Sequence, residues 1–316
     1  MWFLYVMIGV VFIAACIAVG AFICFRMVFY SPPRKPLAEG EYDLPQDEIY
    51  RVYEKDMIDW IDKARSMPHE KFTITSFDGL KLYGVYYEYR AGAPIEILFH
   101  GYQGNGERDL SAGIERCFAI GRSAFIVDQR SHGNSEGSVT TFGIKERYDC
   151  LSWIDFVISH FGQDTKIILT GVSMGAATVM LAAGEELPPN VVCVLADCGY
   201  TSAREIISKV ASEMHLPAAL VYPLVRLGGR LYGGFDPDET SPMEAVQKSR
   251  VPIIFIHGDN DAFVPHDMSV RLHEACSSQT ALQLIKGAGH GLAYPVDKKT
   301  YIDALVAFEE QCGFLK

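Results

Sequence analysis

The stretch LTGVSMGAAT, residues 169–178, places one serine between two glycines, each two positions away, just where an apolar run ends. Lys166-Ile167-Ile168-Leu169 leads into it, and small residues follow. A tight strand-to-helix turn would account for the glycines. A nucleophile on a strained elbow accounts for the serine too, because G-x-S-x-G between a strand and a helix needs small neighbours that approach closely. That reading makes Ser173 the nucleophile, and it requires a base and an acid further along.

Both follow in order. FIHGDNDAFVP (255–265) comes at the end of a strand-like run and offers Asp259 and Asp261, and IKGAGHG (285–291) offers His290 between glycines. The order Ser, Asp, His is the one α/β-hydrolases use. His290 is expected to take the Ser173 Oγ proton, with an aspartate orienting the imidazole. FHGYQGNGE (99–107) follows the first parallel strand, where this fold supplies one oxyanion N–H. The main-chain N–H groups of Tyr102 and Met174 are the expected donors. His100 is expected to bond within its loop, and His132, the second candidate base, to lie at the rim.

Around these motifs the chain alternates. KFTITS and KLYGVYYEY flank Asp78-Gly79 as a hairpin, and IEILFH, SAFIVD, KIILTG, VVCVLADC, VPIIFIHG and ALQLIKGA are separated by helix-period segments. This predicts an α/β fold of the hydrolase type: a mostly parallel sheet, helices on both faces, and antiparallel strands at one edge. About fifty residues after Cys198 lack a strand, which is long for a connection, and predict an inserted helical cap at about 201–250. Its apolar run, MHLPAALVYPLVRLGGRLYGGF (214–235), is expected to cover Ser173 and select an acyl group, with Leu220 and Leu224 in the pocket.

Residues 1–25 carry no charge, and Arg26 follows. Runs of about 18 or more such residues favour a membrane-spanning helix, and the lack of a basic n-region or a clear cleavage site argues against a signal peptide. The expected division is therefore an anchor at 1–29, a linker and amphipathic helix at 30–70, and the hydrolase domain at 71–316. Arg26, Arg34 and Lys35 place that domain in the cytoplasm by the positive-inside rule. Removing everything before Tyr42 is expected to release a soluble, active hydrolase. SPPRKP (31–36) reads as a stiff exit from the membrane, and Asp43 with Gln46 as a capping box for the amphipathic helix.

A net charge of −11 excludes the basic stripe of a nucleic-acid binder. The eight cysteines show no metal spacing, Cys198 included, so neither metal nor organic cofactor is expected. A small-molecule or lipid ester is the expected substrate.

Jointly, TSFDGLKLYG, LFHGYQGN, DQRSHGNSEG, GVSMGA, ADCGYTS, HGDNDAFVP and GAGHG resemble a membrane-anchored serine hydrolase of the α/β-hydrolase superfamily. The likeness is to the bacterial acylaminoacyl-peptidase-like and depalmitoylase-like branch, from about Lys71 onward. It implies Ser173, Asp261 and His290 as the triad, because the second aspartate of H-G-D-x-D-x-x-V-P carries the acid role. These motifs are specific for the fold and not for the substrate. The apolar cap makes carboxylic-ester hydrolysis through an acyl-enzyme the expected activity, with peptide amides, thioesters and a non-enzymatic membrane-tethered scaffold as alternatives. Ser131 stands where that loop commonly has glycine.

Overall fold

The strand-period runs become β1 Glu70–Thr75, β2 Lys81–Tyr87, β3 Ile95–Phe99, β4 Ser123–Val127, β5 Ile167–Val172, β6 Val191–Asp197, β7 Ile253–Gly258 and β8 Thr280–Ile285. In this computed structural model, which describes residues 1–32 and 40–314, they form one sheet in the order β1-β2-β4-β3-β5-β6-β7-β8. β2 pairs antiparallel with β1 and β4, and every later pairing is parallel. The expected α/β-hydrolase architecture is present.

The helices are α1 Trp2–Val28, α2 Glu54–Ser66, α3 Gly106–Ala119, α4 Glu146–Phe161, α5 Met174–Ala183, α6 Ala203–Glu213 and α7 Ala218–Gly228. After a π-helical turn, Gly229–Gly233, come α8 Pro242–Val246, α9 Asp267–Ala275, α10 Ala293–Val296 and α11 Lys298–Cys312. Side chains alternate across a strand, so each strand feeds two cores. Ile95, Ile97 and Phe99 of β3 pack with Trp153 and Val157 of α4 and Met180 of α5. Leu98 faces the other way, onto Leu110, Ile114 and Cys117 of α3. Glu96 shares that second face and is fully buried. Burial alone would raise its pKa, but Arg116, Arg122 and the Thr170 hydroxyl hold it down at about 2.

Asp43 and Gln46 do not cap the amphipathic helix. Asp43 accepts a hydrogen bond from Asn105 Nδ2, Gln46 turns back to the Leu44 carbonyl, and the helix starts later, through a 3-10 segment at Glu48–Tyr53. A tertiary partner on the neighbouring loop has outcompeted the local cap. The SPPRKP segment lies largely outside the described residues, as do Arg34 and Lys35.

α1 is long and apolar enough to cross a membrane, and its first seventeen residues are almost entirely exposed. Its last third is not. Ala21 and Phe29 are fully buried, and Phe25 and Phe29 join Phe142, Tyr222, Val225 and Phe235 in one apolar cluster. Beyond the helix, Ser31 N donates to Ser138 O, Ser31 Oγ to Ser131 O, and Thr140 N to Phe29 O. The foot of α1 is therefore built into the hydrolase body.

Ser131 adopts φ 67°, so the loop keeps the left-handed turn that glycine would favour. Two contacts offset the strain: Ser131 Oγ donates to Val139 O, and Ser131 O accepts from Ser31.

Candidate active site

β5 delivers Ser173 at its carboxyl end, with φ 55° and ψ −115°, on the turn into α5. The flanking glycines are steric necessities. A Cβ on Gly171 would sit 2.0 Å from the Gly175 carbonyl oxygen, and one on Gly175 would sit 2.0 Å from the Phe99 carbonyl oxygen. Any larger residue would force β3, β5 and α5 apart.

His290, on the loop after β8, places Nε2 2.9 Å from Ser173 Oγ and Nδ1 2.7 Å from Asp261 Oδ2. An ionised carboxylate can only accept, so Nδ1 carries the proton and Nε2 is free to accept from the serine. Burial would push the Asp261 carboxyl up, but hydrogen bonds from His257 and His290 and the Val264 N–H hold it well below the ordinary carboxylate range. Asp261 Oδ1 accepts from the N–H groups of Phe263 and Val264 at 2.9 and 2.8 Å, which fixes the carboxylate plane. Asp259 lies elsewhere: it is exposed and accepts from Gly287 N at 2.6 Å, tying together the loops after β7 and β8.

His257 has no expected role in the sequence, yet it sits against the acid. Its Nε2 lies 3.1 Å from Asp261 Oδ2 and 2.9 Å from Val264 O, so Nε2 donates and Nδ1 accepts from the Ser269 hydroxyl at 2.6 Å. It lies within the quoted HGDND motif, but only the fold shows that its ring turns inward.

Tyr102 lies between two anchored amides. Gly101 N donates to Asp109 Oδ2 at 3.1 Å, and Gln103 N to His132 Nε2 at 3.1 Å. Met174 opens α5, so its N–H has no partner one turn back. His132 accordingly braces the loop instead of reaching the serine. His100 is fully buried with Nδ1 2.7 Å from Gly101 O, while Nε2 accepts from Gln129 N at 3.0 Å. Burial, then the neighbouring His132, push its pKa down to about 3, so it stays neutral. The Tyr102 ring packs on Phe142, and its hydroxyl donates to Val28 O at 2.9 Å, at the end of α1.

Cys198 Sγ, Asp261 and His290 place their ligand atoms within 4.8 Å of one another. Burial holds the Cys198 thiol protonated, and both other groups are engaged with Ser173 or each other, so the donor set does not suit a cation.

Ser173 and His290 open into a cleft of about 680 Å³. Its near wall is the segment before β1: Leu44, Pro45, Ile49, Tyr50, Met57 and Trp60. Tyr50 also donates to the His290 carbonyl at 3.0 Å. This corrects the expectation for the cap, because no described residue of 201–250 lines the cleft. Leu220 is 70 % exposed, and Leu224 packs at Gly20 of α1.

Residues 139–313, over half the chain, match the prolyl oligopeptidase family and carry Ser173, Asp261 and His290. The chain belongs to the prolyl oligopeptidase family. The loop at 99–107 and the 43–60 segment of the cleft of this family member precede the matched region. Its relatives include uncharacterized protein YqkD of Bacillus subtilis, 26 % identical over 77 % of this chain and 80 % of that one. Another is the uncharacterized membrane protein YNL320W of Saccharomyces cerevisiae, 28 % identical over 68 % and 70 %. Among solved structures, the Pyrococcus furiosus esterase Pf2001 superposes with a TM-score of 0.65 at 20 % identity, over 90 % of this chain and 98 % of that one. At that identity the likeness concerns the fold.

Proposed function

We propose that the protein is a membrane-anchored serine hydrolase that cleaves carboxylic esters, with Ser173, His290 and Asp261 as its triad. The reading rests above all on the two hydrogen bonds of 2.9 and 2.7 Å that join these residues at the cleft. Ser173 Oγ attacks the ester carbonyl as its proton passes to His290 Nε2, and Asp261 stabilises the imidazolium. The Tyr102 and Met174 N–H groups receive the oxyanion. Collapse expels the alcohol, which takes the proton from His290 and leaves an acyl-enzyme. Water, deprotonated by the same histidine, then releases the acid.

The apolar side chains of the segment at 43–60 supply an acyl site. Each methylene buried there contributes up to about 0.8 kcal/mol, so kcat/KM is expected to rise several-fold per carbon and then fall when the cleft is full. p-Nitrophenyl esters from acetyl to decanoyl test this, with an amide and a thioester of matched acyl length beside them. Butyryl to octanoyl esters are expected to outrun acetyl, and Met57→Trp to move the optimum to shorter chains. A flat profile unmoved by Met57→Trp removes the acyl site, and a faster amide makes the protein a peptidase.

α1 anchors the protein, with the hydrolase body on the cytoplasmic side. Arg26 supports that orientation, as do Arg34 and Lys35 beyond the described residues, and the name of the yeast relative, a membrane protein, supports a membrane location. External protease on intact cells is expected to spare a C-terminally tagged protein until the membrane is permeabilised. Digestion in intact cells reverses the orientation.

A further inference from the structure

The cap does not line the cleft, and it presents a row of large apolar side chains to the outside. Leu220 is 70 % exposed, Leu231 58 %, Met214 54 %, Leu216 42 % and Tyr232 41 %. Their position relative to α1 indicates what covers them. A Cβ at Gly20 would lie 3.6 Å from Leu224 Cδ1, one at Gly228 would meet Ala21 and Phe25, and one at Gly229 would lie 3.3 Å from the Phe29 ring. From Leu224 through Gly228 of α7 to Gly229 just beyond it, the neighbours advance from Gly20 through Ala21 and Phe25 of α1 to Phe29 just beyond it, so the two helices run side by side in the same direction. Leu220 lies one turn earlier, towards the exposed apolar half of α1, and Leu216 just before α7 begins. The π-helical turn returns to the same level: Tyr232 OH donates to Ala18 O, and its ring lies edge-on to Phe22 at 5.2 Å.

Length decides the depth. Residues 2–17 of α1, which precede every cap contact named here, extend about 24 Å at 1.5 Å per residue. A bilayer's hydrocarbon core is about 30 Å thick and takes about 20 residues. A span formed by α1 as described, Trp2–Val28, places Ala18 to Ala21 at the inner edge of that core, and Leu224 and Tyr232 touch α1 at that level.

We propose that the outer face of α7 and the π-helical turn rests in the interfacial zone of the bilayer that α1 crosses, which makes the cap a second membrane contact. This rests on the reading of α1 as a spanning helix. The cations fit: Arg26 and Arg230 are exposed beside the foot of α1, at headgroup depth, and Tyr232 is the kind of aromatic residue that such a zone favours. Tyr102, whose hydroxyl meets Val28, then holds the oxyanion loop within one side chain of the membrane-facing foot.

Full-length protein is reconstituted in phosphatidylcholine–phosphatidylglycerol vesicles containing a brominated phosphatidylcholine. Bimane is attached at Leu220→Cys or Leu231→Cys, in a background whose accessible cysteines (Cys16, Cys24, Cys276 and Cys312) are serine. Phe12→Cys on α1 is the lipid control, and Val52→Cys, at an 82 % exposed residue far from α7 in sequence, is the water control. Bromolipid is expected to remove about half or more of the emission at Leu220 and Leu231, as at Phe12, while aqueous iodide quenches only Val52. If Leu220 and Leu231 behave like Val52 while Phe12 is quenched by lipid, the proposal fails and the anchor stands. If both cap sites are shielded from both quenchers, protein covers them, as in a dimer, and the proposal also fails. An unquenched Phe12 removes the anchor reading, and the proposal with it.

Discussion

Asp261→Asn is expected to lower kcat for a p-nitrophenyl ester about 10⁴-fold, and Asp259→Asn to leave it within about tenfold of the parent. Asp261 spends one oxygen on the Phe263 and Val264 amides and the other on His290 Nδ1 and His257 Nε2, all of them donors. An asparagine can place only one oxygen. If that oxygen stays on the two amides, its NH2 faces His290, and Nδ1 must become an acceptor. The imidazole proton then moves to Nε2, which can no longer take the proton of Ser173 Oγ at 2.9 Å. Asp259 only ties Gly287 to its own loop, so its loss loosens that loop without changing the tautomer of His290. Steady-state kinetics on both variants, with thermal melts to confirm folding, decide the matter. Equal losses, or the greater loss at Asp259, reject the assignment of the acid.

Removing all residues before Tyr42 is expected to yield aggregated or unfolded protein, whereas a chain beginning at Ala18 folds and hydrolyses esters. This reverses the expectation drawn from hydropathy. The shorter chain lacks Ala21, Phe25 and Phe29 and leaves Phe142, Tyr222, Val225 and Phe235 partly uncovered. Deleting a buried phenylalanine side chain costs about 3–5 kcal/mol, and the whole stability of a domain is about 5–15 kcal/mol. Two of them, with the hydrogen bonds at Phe29 and Ser31, consume much of that margin. Soluble yield and melting temperature of the two truncations measure it. A Tyr42 truncation that melts with the parent would show that the docked foot contributes nothing.

Local constraints were legible in the sequence, and tertiary ones were not. The elbow could be read because its glycines answer to atoms a few residues away and to a strand already marked by its apolar run. The order of Ser173, Asp261 and His290 could be read because each follows a recognisable strand. His257 was missed because a histidine four residues before an acid carries no mark of which way its ring turns, and Asp109 was missed because nothing in a helix's first turn marks that its carboxylate reaches back to the Gly101 amide. The foot of α1 was misjudged because Phe25 and Phe29 look alike in a sequence whether lipid or protein covers them. The cap was misjudged for the mirror-image reason: an apolar helix after β6 reads as a pocket lid, and nothing local says that it leans on α1.

One wall of the cleft comes from a contiguous stretch of chain, residues 43–60, which precedes Tyr102, Ser173, Met174, Asp261 and His290 in the sequence. Within that stretch, Tyr50 donates to the main-chain oxygen of His290. Part of what decides entry is therefore encoded on a length of chain separate from the proposed reacting groups. Under the proposed function, substitutions in that stretch would change which acid or alcohol is admitted while the reacting groups stay in place. Two descendants of such a chain could share every reacting atom and have no substrate in common.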